Sequence, residues 1–164
     1  MQITKEMLKE KGACPAGYMD FCETFPDGTE YQALLDYCCE HDRADYAHWL
    51  LSKFGATDDV REIDGDYITD KSIVFAGSIK VKGSVRADGF IEAGRDIEAG
   101  WHIEAGEDIK AGWDIEAGYG IKAGKDYGIY AGLSVPITSR NRTIRAVQKP
   151  TNIMCGEWVG VDII

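Results

Sequence analysis

The chain has 164 residues, 45% of them apolar, enough for one compact domain or two small ones packed together. Lys and Arg total 18 against 28 Asp and Glu, and the formal net charge of -10 argues against a general nucleic-acid binder, because phosphate contacts need clustered cations. No apolar run of about 18 residues offers a membrane span, and the opening MQITKEMLKEKG lacks the apolar stretch of a secretory signal, so no membrane contact and a cytoplasmic setting are expected.

Residues 1–60 have helical periodicity, with elements expected at Thr4–Lys11, Ala16–Thr24, Glu30–Glu40 and Asp45–Phe54. Phe25-Pro26-Asp27-Gly28 marks a turn, Thr29 is placed to cap the third helix, and Gly55 to end the fourth. Tyr31, Leu34, Leu35 and Cys38 share one face, and Ala47, Leu50, Leu51 and Phe54 another, as a helical pair requires. This front part is the most acidic, with 14 acids against 6 bases in residues 1–65, and Asp36, Glu40 and Asp42 are its candidate contact residues. Five cysteines, an odd number with one adjacent pair and no C-x-x-C, suit small buried hydrophobes better than disulfides. A zinc site using His41 or His48 matches no ligand spacing, and no cofactor is expected.

The most informative stretch follows. Counting every sixth residue gives Ile73, Ile79, Val85, Ile91, Ile97, Ile103, Ile109, Ile115 and Ile121, all β-branched. From Ile91 onward the unit is I-[EK]-A-G-x-x, so Ile and Ala face one side of a short strand, the charge between them faces outward, and Gly turns the corner. A helix would scatter these side chains around a period of 3.6. Three units per coil stack Arg86 on Glu104 on Lys122, and Glu92 on Lys110. Two units per coil would stack Glu92, Glu104 and Glu116. Rungs only about 4.8 Å apart favour the first arrangement, a triangular β-solenoid of three to four coils, with Glu98 on Glu116 as its one poor column.

The flanks depart from this pattern. Residues 56–70 are expected to connect the helices to a solenoid spanning 66–132, its first coil widened by Phe75 and Val81. A two-residue slip at Tyr127-Gly128 predicts a bulge. Residues 133–164 carry 2 acids against 4 bases, and their runs SVPI, TIRAVQ and NIMCGEWVGVDII suit an antiparallel β cap over the open strand edges. The expected fold is therefore α+β, with helical residues 1–60, a solenoid and a terminal cap.

The stretch GSIKVKGSVRADGFIEAG resembles the hexad repeats of bactofilins and of the wider hexapeptide β-solenoids. The front segment, with Gly12-Ala13-Cys14, Phe25-Pro26-Asp27-Gly28 and Ala47-His48-Trp49-Leu50, resembles a small helical module of bacterial prophage and phage proteins. That resemblance implies a mobile-element accessory protein in a bacterial host cell, a class rich in inhibitors of host defence such as anti-CRISPRs.

Catalysis finds little support. Hexapeptide acyltransferases place a His between subunits under long loops. Here His102 is the one His of the repeat, no loop interrupts residues 73–126, and no nucleophile–base pairing is visible. Asp96 on Asp114, or Asp108 on Asp126, would set carboxylates near corner carbonyls as Ca²⁺ ligands. The simpler role is to cap each Asp's own corner. Trp101, Trp113 and Tyr119, with Glu98 and Glu116, are candidate protein-contact residues on the repeat. Arg140, Arg142, Arg145 and Lys149 are candidates for an acidic partner or nucleic acid, direct nucleic-acid binding being the weaker use. The expected function is non-catalytic: an acidic surface that binds and inhibits a host protein complex. The alternatives are a self-assembling homo-oligomer and an acyltransferase.

Overall fold

Small and polar residues set the helix starts in the computed structural model, which describes residues 1–161. The Thr4 hydroxyl accepts from the Met7 N–H at the start of α1 (Lys5–Glu10), and Pro15 opens α2 (Pro15–Thr24). The cap of α3 (Tyr31–Glu40) is Glu30 rather than Thr29: its carboxylate accepts from the Gln32 N–H at 2.8 Å. Thr29 is instead held in a short antiparallel ladder, β1 (Gln2–Ile3) with β2 (Thr29–Glu30), a long-range pairing that no local pattern announces. Gly55, at φ 80°, ends α4 (Ala44–Phe54). Asp42 takes φ 58° in the turn between α3 and α4, a conformation Asp tolerates better than most residues. Leu34, Leu35 and Cys38 of α3 are buried with Ala47, Leu50 and Leu51 of α4, and the Tyr31 hydroxyl donates to the Gly55 carbonyl at 3.0 Å.

From Val60 onward the chain winds into strands: β3 (Val60–Ile63), β4 (Tyr67–Thr69), β5 (Ile73–Phe75), β6 (Ser78–Val81), β7 (Val85–Ala87), β8 (Ile91–Ala93), β9 (Ile97–Ala99) and β10 (His102–Ala105). It continues through β11 (Ile109–Ala111), β12 (Ile115–Ala117), β13 (Gly120–Lys122), β14 (Ile129–Tyr130), β15 (Thr143–Ala146), β16 (Ile153–Cys155) and β17 (Glu157–Gly160). Within the repeat every third strand pairs in parallel at an offset of 18 residues, Ile79 with Ile97 and Ile97 with Ile115, so three hexads make one coil. The three sheets hold four, five and six strands. The first is β4-β7-β10-β13, the second β5-β8-β11-β14-β16, and the third β3-β6-β9-β12-β15-β17.

The longest sheet makes six coils, more than the three to four expected, because both flanks join the solenoid. Val60–Thr69, expected as part of a connection, forms strands of the first coil. Among the described residues the tail forms no antiparallel cap: β15, β16 and β17 pair in parallel and prolong the same sheets. Their irregular sequence hides this, because an excursion over residues 131–142 widens the offset to 29 residues between Ile115 and Ile144. The last three residues of the expected cap lie outside the described residues. The slip at Tyr127-Gly128 is absorbed as expected, with Ile129 pairing Ile109 at an offset of 20 and a register shift at Ile129/Tyr130.

The solenoid interior is a stack of fully buried Ile over Ala, from Ile73 to Ala146. Corner glycines are required by close approach: a Cβ on Gly106 would stand 2.0 Å from the Asp88 carbonyl oxygen of the preceding coil. Most polar residues that end a hexad serve the neighbouring coil rather than their own corner. Ser72, Asp96 and Asp108 accept from the backbone N–H of Phe90, Asp114 and Gly128, at 3.1, 3.1 and 2.8 Å. Asp114 likewise accepts from the Thr143 N–H and hydroxyl, at 2.6 and 3.0 Å. Asp side chains here are rung-to-rung hydrogen-bond acceptors.

Candidate functional site

The helical module is fastened to the solenoid by departures from the repeat. Position two of each hexad is charged in every unit from Lys80 to Lys122, but in β5 it is Val74. Val74 and Ala76 are buried in the helical core, with Phe90 packed against it. The free edge of β5 is closed by a side chain: the Gln32 amide donates to Val74 O at 3.0 Å and accepts from Ala76 N–H at 2.9 Å. The Thr57 N–H adds a bond to Ala76 O at 2.9 Å. One side chain thus satisfies backbone groups that an open strand would offer to any passing chain.

Charged pairs complete the junction. Arg61, in the inward register of β3, lies 4.7 Å from the Phe75 ring centroid, meets Asp36 at 2.7 Å and donates to the Tyr67 hydroxyl at 3.0 Å. Burial opposes the guanidinium charge, but Asp36 and Tyr67 outweigh it, so the Arg61 pKa is raised. Burial likewise pushes the Tyr67 hydroxyl up, against the opposing pull of Arg61. Asp42 pairs with Lys71 at 2.6 Å. Glu92, only 8% exposed, receives His48 Nδ1 at 2.7 Å. Asp36, expected on a free contact surface, is half-buried and engaged with Arg61, whereas Asp42, though paired with Lys71, and Glu40 are both exposed.

Acidity instead concentrates on the first coil. Asp58, Asp59, Glu62, Asp64, Asp66 and Asp70 are all exposed, against Arg61 and Lys71 in the same segment. Asp58 meets Arg95, and Asp64 meets Lys82 at 2.8 Å. Most of this segment was expected to be a connection. Its signal was the density of six acids in thirteen residues, which becomes a rim only once the segment is coiled.

The other candidate residues divide among separate surfaces. Trp101, 62% exposed, and Tyr119 occupy the corner after the third sheet, joined by a bond from the Tyr119 N–H to the Trp101 carbonyl at 2.8 Å. The Tyr119 ring stands edge-on to His102 at 5.2 Å. Trp113 lies on a different corner, with the Arg95 guanidinium 4.7 Å from its ring. Glu98 and Glu116 are neighbours, as expected, but Lys80 lies 3.6 Å from Glu98 and Arg145 pairs in register with Glu116. The like charges are thus flanked by opposite ones. Arg140 and Lys149 are exposed, Lys149 lying 5.3 Å from the Trp158 ring, while Arg142 donates to Ile137 O at 2.9 Å. The four tail cations therefore belong to different settings.

Among the described residues, no group of three or more His, Cys, Asp or Glu is arranged to hold a metal ion, and no helix is long and apolar enough to cross a membrane. Compared with known families, residues 1–56 match the model described as the YdhT N-terminal domain. No curated protein and no solved structure matches the chain.

Proposed function

We propose that this protein is a non-catalytic binding module whose acidic rim engages a basic surface of a host protein complex and inhibits it, as phage accessory proteins of the anti-CRISPR type do. The observation that carries the reading is the set of exposed carboxylates on the first coil, of which only Asp58 and Asp64 meet a cation at ion-pair distance among the described residues. Like charges held on a rigid rung cannot relax apart, and a complementary surface relieves their repulsion while steering association. The resemblance of the front segment to phage and prophage modules supports the choice of a host complex.

The test compares tagged wild-type protein with the variant Asp59→Lys, Glu62→Lys, Asp70→Lys in pull-downs from nuclease-treated bacterial lysate at low and high salt; Asp66 is left in place because it accepts from the Ser84 N–H of the next coil. One complex enriched by the wild type, and lost both in the variant and at high salt, supports the reading. Identical recovery by both proteins, or bait alone, overturns it.

A second reading, self-assembly, is favoured by one observation. The last strands, β16 and β17, have no further partner among the described residues, and Met154, Trp158 and Val159 are exposed beside them. It predicts concentration-dependent oligomers in light scattering, which a strictly monomeric protein at all concentrations would refute.

A further inference from the structure

The helical module contains a partly open cavity of about 440 Å³ that none of the contacts above uses. Its size falls within the range of roughly 300–1,000 Å³ common to small-ligand sites. Phe21, Phe25, Leu34, Tyr37, Tyr46 and Trp49 supply its aromatic and aliphatic wall. Space is left because the corner between α1 and α2 carries Gly12 and Ala13, and the first turns of α2 carry Gly17. A Cβ on Gly17 would meet Cys14 Sγ at 3.3 Å and the Tyr46 ring at 3.4 Å.

The charges at the wall are unequal. Asp20 is neutralised by Arg43 at 2.8 Å, and the His48 ring is held by a hydrogen bond to the buried Glu92 at 2.7 Å. Among the described residues no cation lies within ion-pair distance of Asp45, which lines the same cavity and is exposed. Aromatic faces present partial negative charge, and Arg43, 5.8 Å from the Tyr46 ring centroid, already uses one from outside the cavity. The His48–Glu92 pair ties α4, which carries Tyr46 and Trp49, to the solenoid, so this wall is preorganised.

We propose that this cavity is a binding site for a small organic cation with an aromatic or branched apolar body, the body against the aromatic wall and the cationic nitrogen toward Asp45. This inference is independent of the acidic rim and stands or falls separately from it.

Three probes of one shape test it: 2-phenylethylamine, 2-phenylethanol and 3-phenylpropionate, titrated into the full chain labelled with ¹⁵N. The expected result is amide shifts confined to the cavity, at Ala13, Gly17 and the Trp49 indole, with the amine binding tightest and the acid weakest. Asp45→Asn, an exposed substitution, should weaken the amine about fivefold, the upper range for an exposed ion pair, and leave the alcohol unchanged. Equal binding of amine and acid overturns the proposal, as do shifts located elsewhere or no shifts up to about 10 mM. Loss of alcohol binding in Asp45→Asn would also refute the assigned role of Asp45.

Discussion

Gly106→Ala isolates what the corner glycines do. The added Cβ would lie 2.0 Å from the Asp88 oxygen, and a close C–H···O contact needs about 3.3 Å, so the two coils must part by about 1.3 Å at that corner. Two rung bonds adjoin the contact, Gly106 N–H to Ala87 O at 3.0 Å and Glu107 N–H to Gly89 O at 3.2 Å, and a displacement of that size removes both. At roughly 0.5–1.5 kcal/mol each the loss is about 1–3 kcal/mol. The stiffer unfolded chain returns roughly 0.4–1 kcal/mol, leaving a net cost of about 1–2 kcal/mol. For a chain of this size that lowers Tm by about 2–8 °C. The control is Gly65→Ala, where a Cβ meets nothing within 4 Å, so that the variant should match the wild type or exceed it. Urea melts followed by circular dichroism and by tryptophan fluorescence give both values. If Gly106→Ala proves as stable as Gly65→Ala, close approach is not why glycine recurs at the corners.

Four other outcomes follow from the same geometry. Glu104→Lys, between Arg86 and Lys122, turns two attractions into repulsions, whereas Glu98→Lys trades contact with Lys80 for contact with Glu116. The first should cost roughly 1–2 kcal/mol more in thermal or urea melts, with the gap shrinking in 1 M salt, and equal effects would refute the charge columns. Gln32→Leu leaves Val74 O and Ala76 N–H without their partner at about 1–3 kcal/mol, and hydrogen exchange at Ala76 should accelerate while Ile103 stays protected. Burial pushes the Cys38 and Cys39 thiols up to about 12, and raises Tyr31 and Tyr67 as well. Each folded pKa exceeds its unfolded value. The stability they contribute is therefore complete below about pH 8.5, the usual thiol pKa, and is lost as pH rises toward 12. A Tm equal at pH 8 and pH 10.5 would contradict this. A neutral disulfide reagent should modify exposed Cys14 at once, and Cys38 and Cys39 only on unfolding.

What the sequence determined by itself is the coil. A hexad of Ile, charge, Ala and Gly admits few conformations, and only an 18-residue turn sets Arg86, Glu104 and Lys122 in an alternating column, which is the register the protein adopts. The helices were legible for the same reason, since a 3.6-residue period and Gly55 are local signals. Tertiary structure decided where the repeat stops. Val60–Thr69 and Thr143–Gly160 have no hexad pattern of their own and become strands because a preformed edge offers them backbone partners. The junction was half visible. Val74 breaks the charged pattern and Phe90 the polar one that ends most hexads, and both could have marked a covered face, but nothing distinguishes Glu92 from the other hexad glutamates until His48 arrives from 44 residues away. Likewise Asp36 and Asp42 looked like free surface acids. Their partners, Arg61 and Lys71, lie 25 and 29 residues further along the chain, and only the docking of helices on the first coil brings each pair together.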